Sequence, residues 1–325
     1  MFKLLSLFSG IGAFEEALKN KDVKYELVGF SEFDTFASKA YSLIHNVPES
    51  LNYGDINKIN EKELPDFDVM TYGFPCQSFS SIGKRLGFLD EERGNLFFES
   101  MRIAKEKKPK LLIAENVKGL LSQDKGKSFK IILETLNSIG YNNYYSVLNS
   151  AFFDVPQARE RLFIISIRKD IDTGLFKFPV GNLTDKTVAD ILNVSEDRKL
   201  CKNSLRPYLD KKYFVKDYQS KFKMKKLFDG VKEGYFKSSF LGNRIFSIHG
   251  VSPTLTTHNN TVFFEIKGHL TSKERFKLQG FNEEYVDLLK KNGISKSKID
   301  KMSGNSITVN TLEALFDEIL KLNIL

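Results

Sequence analysis

Cysteine is scarce: the chain of 325 residues has two, Cys76 and Cys201. So few, and so far apart, they exclude a disulfide framework and a zinc site built from cysteines. His45, His249, His258 and His269 are the only histidines and have no ligand spacing, so no metal is expected. No stretch reaches the roughly 18 uninterrupted apolar residues of a membrane span, because Lys, Asp or Glu breaks every apolar run. The opening MFKLLSLFSGIGAFEE carries one lysine and a short apolar run but no small-residue cleavage site, and it reads as a buried strand rather than a signal. These absences predict a soluble, cytoplasmic chain without repeats or low-complexity tracts.

What is present is a hydrophobic content of 41%, enough for one large domain and a smaller one. The net charge of +8 is unevenly spread. Arg198 to Lys226 holds eleven basic and two acidic residues, a local net of +9, so the rest is close to neutral. Tyr208, Tyr213, Phe214, Tyr218 and Phe222 are interleaved there. That mixture suits a surface that meets phosphates and sugars, and a solvated lysine-rich face is the alternative.

Short apolar runs alternate with helical patterns in the first half: residues 3–8, 25–30, 68–74, 110–116 and 161–167. The alternation predicts a parallel sheet with crossover helices. Phe129, Ile132, Leu133, Leu136 and Ile139 fall at helical spacing before Gly140, and Leu312, Leu315, Phe316, Ile319 and Leu320 form a second stripe near the end. From about residue 172 to about 265 the alternation gives way to an irregular, basic, aromatic-rich stretch, read as a second domain.

In LFSGIGAFE a strand enters a glycine turn and then a helix, the geometry that brings backbone close to a nucleotide-like ligand. Glu15 stands where a dinucleotide fingerprint has its third glycine and would repel a pyrophosphate, so a cofactor lacking phosphate fits better. Glu32 ends the second strand, where an acid accepts bonds from ribose hydroxyls, and Asp55 follows in YGDI. Each acid is alternatively a helix cap or a surface residue. The densest signal is GFPCQSFSSIGKRLGF, residues 73–88. A core cysteine needs neither Pro75 before it nor a polar loop after it, whereas a nucleophile at a strand end uses both, so Cys76 reads as the nucleophile. Free thiols ionise near pH ~8.5, so a neighbouring cation or hydrogen bond must favour the thiolate. Glu115, in AENV, ends another strand and either joins Cys76 at one edge or caps a helix. Arg159 and Arg161 alternate on entering a strand, which puts them on one face, or with Glu160 they form a surface ion-pair cluster.

Taken in order, FSGIG, Glu32, GDI, GFPCQSFS, GNLF (94–97), ENV, QARER, ERFKLQGF (274–281) and GNSITVN (304–310) resemble the motifs of bacterial cytosine-5 DNA methyltransferases of the restriction-modification type. The likeness spans nearly the whole chain. It implies an α/β fold, the Rossmann-like S-adenosylmethionine-dependent methyltransferase fold with a mostly parallel sheet and helices on both faces, plus a smaller irregular target-recognition domain. Residues 1–174 and 300–325 would form the catalytic and cofactor-binding domain, and 175–299 the recognition domain and hinge. Phe8, Gly10 and Gly12 would shape the pocket for S-adenosylmethionine, and Glu32 would bind its ribose. Phe33 would stack where many relatives carry tryptophan, and Asp55, beside Ile56, would take the adenine amino group. Phe74 and Pro75 would border the cofactor, with Leu96, Asn305 and Ser306 closing the pocket.

The same resemblance implies that Cys76 adds to C6 of cytosine, Glu115 acts at N3, and Arg159 holds O2 or the adjacent backbone, with Arg161 completing the set. A base inside a duplex must be flipped out, at a cost of a few kcal/mol. The lid for this is expected from Phe79 to Arg93, with Ser80, Ser81, Lys84 and Arg85 on the DNA. Thr254 and Leu255, in SPTLTT, resemble the dipeptide beside the flipped nucleotide. The expected partner is double-stranded DNA, with a cognate restriction endonuclease as a genetic rather than physical partner, and the expected state is a monomer. Three rivals are weaker. A tRNA cytosine-5 methyltransferase would carry a Cys-Phe-Thr tripeptide that is absent here. A repressor with a dead core would not keep Cys76, Glu115 and Arg159, and a nicotinamide dehydrogenase leaves GFPCQSFS unexplained.

Overall fold

The computed structural model describes residues 1–75, 96–193, 198–200, 209–210, 222–229, 244–258 and 261–325. Cys76, Ser80, Ser81, Lys84 and Arg85 lie outside the described residues, as do the lid from Phe79 to Arg93 and most of the basic segment. The apolar runs become β1 (Phe2–Leu7), β2 (Tyr25–Ser31), β3 (Val69–Tyr72), β4 (Leu111–Val117) and, later, β7 (Glu160–Arg168). Between them lie β5 (Tyr141–Asn149) and the short β6 (Gln157–Ala158). Among the described residues the main sheet has the order β2-β1-β3-β4-β7-β5.

β1 pairs in parallel with both β2 and β3, and β3 with β4. β7 runs antiparallel to β4, with Glu115 opposite Phe163 and Val117 opposite Arg161. The sheet is thus mostly parallel, with β7 reversed against the run β2-β1-β3-β4. Its inner strands are apolar on both faces, as parallel strands covered by helices must be. Leu111, Leu112, Ile113 and Ala114 are all fully buried. Burying each such side chain stabilises by about 1.5–3 kcal/mol for the larger ones.

One face of the sheet, through Leu5, Leu7, Met70, Tyr72, Leu112 and Leu162, shares a core with α3 (Leu96–Lys107) and α4 (Lys127–Ser138). Elsewhere in the same unit, α1 (Ala13–Asn20) meets the final helix edge to face through Phe14 and Phe316, and Tyr41 of α2 (Thr35–His45) stacks on Phe30 at 4.1 Å. The start of α2 is fixed by Asp34, whose carboxylate accepts from the amides of Phe36 and Ala37.

The chain divides into two compact units: residues 1–148, 160–179 and 312–325, and residues 149–159 and 180–311. Segments 149–159 and 300–311 pack with the second unit, although sequence grouped them with the catalytic part. The second unit holds β8 (Lys226–Asp229), β9 (Arg244–Phe246) and β11 (Val262–Phe263) in one small sheet, and β10 (Ser252–Pro253) paired with β6. Its helices are α5 (Ser272–Lys277), α6 (Glu284–Lys291) and α7 (Lys296–Asn305). α8 (Val309–Leu320) follows, and its part from Leu312 onward belongs to the first unit.

Candidate active site

From β1 the chain steps to β2 on one side and β3 on the other, so the carboxyl ends of β1 and β3 flank the point where strand order reverses. Open α/β sheets bind ligands at such a point. The turn after β1 is built for close approach. Phe8 holds φ 52°, in the left-handed region that costs a non-glycine residue energy, and Gly10 and Gly12 follow at 57° and 77°. A Cβ on Gly12 would lie 2.0 Å from Nε2 of His45, whereas one on Gly10 would meet no atom within 4 Å. His45 Nε2 sits 3.0 Å from the carbonyl of Ile11, so a neutral ring donates there and braces the turn. Burial lowers the His45 pKa to about 4, which keeps the ring neutral.

Glu32 lies just past β2 and accepts from the amides of Gly10 at 2.9 Å and Asp34 at 2.8 Å. Burial raises its pKa, and these backbone donors oppose the rise. Asn52 pins its backbone from both sides, accepting from Glu32 N and donating to Glu32 O, each at 3.0 Å. Phe33, in a chain without tryptophan, leaves its ring 78% exposed beside this acid. Asp55 caps a short 3-10 turn by accepting from Asn57 N, and Ile56 beside it is buried. Phe74 is buried between Tyr72 and Phe97, Pro75 is exposed, and Leu96 opens α3 half-buried.

These features suit an uncharged nucleoside better than a phosphate. Glu15 and Glu16 occupy the first turn of α1, both buried, and burial raises the Glu15 pKa. A phosphate at that helix start would face carboxyl groups. The Ser9 hydroxyl is buried with no hydrogen-bond partner among the described residues, leaving a donor for a ligand.

The second cluster in the first unit joins β4 and β7. Glu115 Oε1 is 3.0 Å from Arg161 Nε, and both side chains are mostly buried. Its Oε2 is the atom that a Cβ on Gly73 would meet, at 3.7 Å, just where the chain leads through Phe74 and Pro75 into Cys76. Asn116, the next residue, donates to Phe74 O at 2.8 Å and fixes that strand exit. Asn52 and His45 were not singled out from sequence: the region before YGDI carried Asn52 in plain view, and His45 gave no signal beyond its lack of ligand spacing.

In the second unit Arg159 departs from expectation. It precedes β7, so strand alternation does not govern it, and its buried guanidinium donates to three carbonyls: Leu255 at 3.1 Å, Gly304 at 3.2 Å and Ser306 at 2.6 Å. Arg159 and Arg161 are therefore committed to different partners. Gln157 accepts from Leu255 N at 2.9 Å and donates to Leu278 O at 2.8 Å. Thr254 donates its hydroxyl to Ala158 O, and the Leu255 side chain lies in an apolar core rather than at the surface. Asn305 is exposed at the end of α7, and Ser306 is buried.

The model of the C-5 cytosine-specific DNA methylase family matches residues 2–321. The chain is 33% identical to the orphan methyltransferase M.SPRI of Bacillus phage SPR, covering 98% of this chain and 97% of that one. It is 32% identical to the type II methyltransferase M.HhaI of Haemophilus parahaemolyticus, covering 96% and 92%. Among solved structures, the Dnmt2 methyltransferase of S. pombe shares the fold with a TM-score of 0.70 at 20% identity, over 99% of each chain. A glycine turn that favours a phosphate-free nucleoside, a buried carboxylate and arginine beside the strand leading to Cys76, and a family match over almost every residue make this chain a member of the C-5 cytosine-specific DNA methylases.

Proposed function

We propose that this sequence-specific DNA cytosine-5 methyltransferase activates its base by adding the Cys76 thiolate to C6, with Glu115 and Arg161 holding the ring. The observation that supports it most is the Glu115–Arg161 pair, whose second carboxylate oxygen lies beside Gly73, three residues before Cys76. C5 of cytosine is a poor nucleophile until C6 carries a new bond. Formation of the S–C6 bond pushes electron density onto C5 and N3, and a carboxyl at N3 stabilises that density by donating or sharing a proton. The resemblance gives O2 or the adjacent backbone to Arg159, whose terminal nitrogens donate to backbone carbonyls, and the ion pair with Glu115 supports Arg161 in the same role. After C5 is alkylated, loss of the C5 proton returns electrons to the ring and expels Cys76.

The family and fold imply S-adenosylmethionine, which when bound supplies an electrophilic methyl on a sulfonium. Glu32 would accept from its ribose hydroxyls, Phe33 would stack on its adenine and Asp55 would take the adenine amino group. Phe8, Gly10, Gly12, Ile56, Phe74, Pro75, Leu96, Asn305 and Ser306 would shape its surroundings. On the DNA, Ser80, Ser81, Lys84 and Arg85 would contact phosphate, while the Thr254–Leu255 turn would face the flipped nucleotide through Thr254 and backbone. The likeness to a type II methyltransferase favours a cognate restriction endonuclease as genetic partner and the likeness to an orphan methyltransferase opposes one, while one site acting on one strand at a time is consistent with a monomer on double-stranded DNA.

The test is transfer of labelled methyl from S-adenosylmethionine to unmethylated genomic DNA. Label on cytosine C5 with the native chain, absent with Cys76→Ser, is expected. Label on tRNA alone would refute the substrate, and label in the Cys76→Ser variant would refute the nucleophile.

A further inference from the structure

The turn Thr254–Thr257 is gripped through its backbone within the second unit. Arg159 and Gln157 take the carbonyl and amide of Leu255, and Arg275 Nη2 donates to Thr256 O at 2.7 Å. Gly304 packs against the same carbonyl so closely that a Cβ there would come within 2.2 Å of it. Arg275 is 1% exposed and also donates to Asp300 O at 2.8 Å and Ser303 Oγ at 2.9 Å. One guanidinium therefore joins the turn to α7. A buried arginine is costly unless its donors are matched, and an apolar residue would fill this space more cheaply. The planar fork gives what an apolar residue cannot, a fixed direction for three acceptors at once. Burial lowers the Arg275 pKa to about 10, so it stays charged at neutral pH. The side chains of Thr254, Thr256 and Thr257 are half-buried and His258 is exposed, so the turn presents polar groups while its backbone is held.

We propose that Arg275 is a positioning residue for target recognition: without touching DNA, it fixes Thr256 and so the register in which Thr254 to His258 meet the duplex. This rests on the reading of Thr254–Leu255 as the turn beside the flipped base.

The full chain is used for the test. The target site is mapped by sequencing genomic DNA methylated by the native chain. Rates on a cognate duplex and on single-mismatch duplexes are then compared for the native chain, Arg275→Met and Arg275→Lys. In Arg275→Met the KM for DNA is expected to rise roughly tenfold and the cognate-to-mismatch ratio to fall by a similar factor, with kcat on saturating cognate DNA and the KM for S-adenosylmethionine held within about twofold. Arg275→Lys, which keeps the charge but loses the fork, should fall between. An unchanged KM and ratio overturns the proposal, and so does an equal loss of kcat on every duplex, the mark of a merely structural residue. If Arg275→Met does not fold, Arg275→Lys decides, and native selectivity in that variant overturns the proposal. Absence of any DNA methylation by the native chain would instead sink the methyltransferase reading before a variant is compared.

Discussion

Arg159 and Arg161 stand two positions apart, yet their surroundings predict opposite consequences of loss. Arg159→Met removes a buried guanidinium that donates to three carbonyls, of which only Ser306 O has a second side-chain donor in Gln279, so urea unfolding should show a loss on the order of 3 kcal/mol. Arg161→Met removes one partly buried ion pair and should cost about 1 kcal/mol of stability. It should nevertheless lower kcat by 10²-fold or so, the usual scale for a group that stabilises developing charge. Equal stability losses in the two variants would refute the division of labour. Sequence brought both arginines to notice but could not separate them, because alternation predicts direction only inside a strand and β7 begins at Glu160. Glu115 was legible as a strand-end residue for the opposite reason: the apolar run before it ends there, and β4 closes two residues later at Val117. Arg275 was invisible, since a basic residue on a short helix ordinarily faces water.

At the scale of elements, the strands that apolar runs announce are the interior ones, because burial on both faces demands continuous hydrophobicity. β5 (Tyr141–Asn149) escaped that reading: at the edge of the sheet it is part-exposed through its middle and carries polar residues such as Asn142, Asn143 and Ser146. The stripe on α8 was legible, and its residues Leu312, Leu315, Phe316 and Ile319 are buried as the spacing requires. α8 is further tied to the end of α1, where Asn20 donates to Glu313 at 2.7 Å and Lys21 pairs with Asp317 at 2.7 Å. Both links are at the surface, so the helix is held by its apolar face. Leu312→Ala should therefore cost about 3 kcal/mol in equilibrium unfolding, while Lys21→Ala should cost under about 0.5 kcal/mol. A larger loss from Lys21→Ala would mean that the ion pair, not the stripe, docks the helix.

For the whole molecule, charge is the property most directly read from sequence, with Arg198 to Lys226 carrying the excess. If that segment tracks the phosphate backbone, log Kd should vary linearly with log salt, with a slope of roughly 0.9 per phosphate neutralised. Changing Lys211, Lys212 and Lys216 to Ser should flatten the slope by up to about 3 while leaving the KM for S-adenosylmethionine unchanged. An unaltered slope would return the segment to ordinary solvated surface. The topology of the sheet carries one more consequence. Were every strand to run one way, the edge that holds Gly73 and Glu115 would receive only residues that finish strands. Because β7 is reversed, that edge also receives residues that begin one, and Arg161 comes to it directly from an incoming loop. Moving Arg161 by one residue along β7 would turn its side chain to the opposite face of the sheet, so its distance from the buried run Leu162–Ile167 is itself a geometric requirement of an antiparallel neighbour.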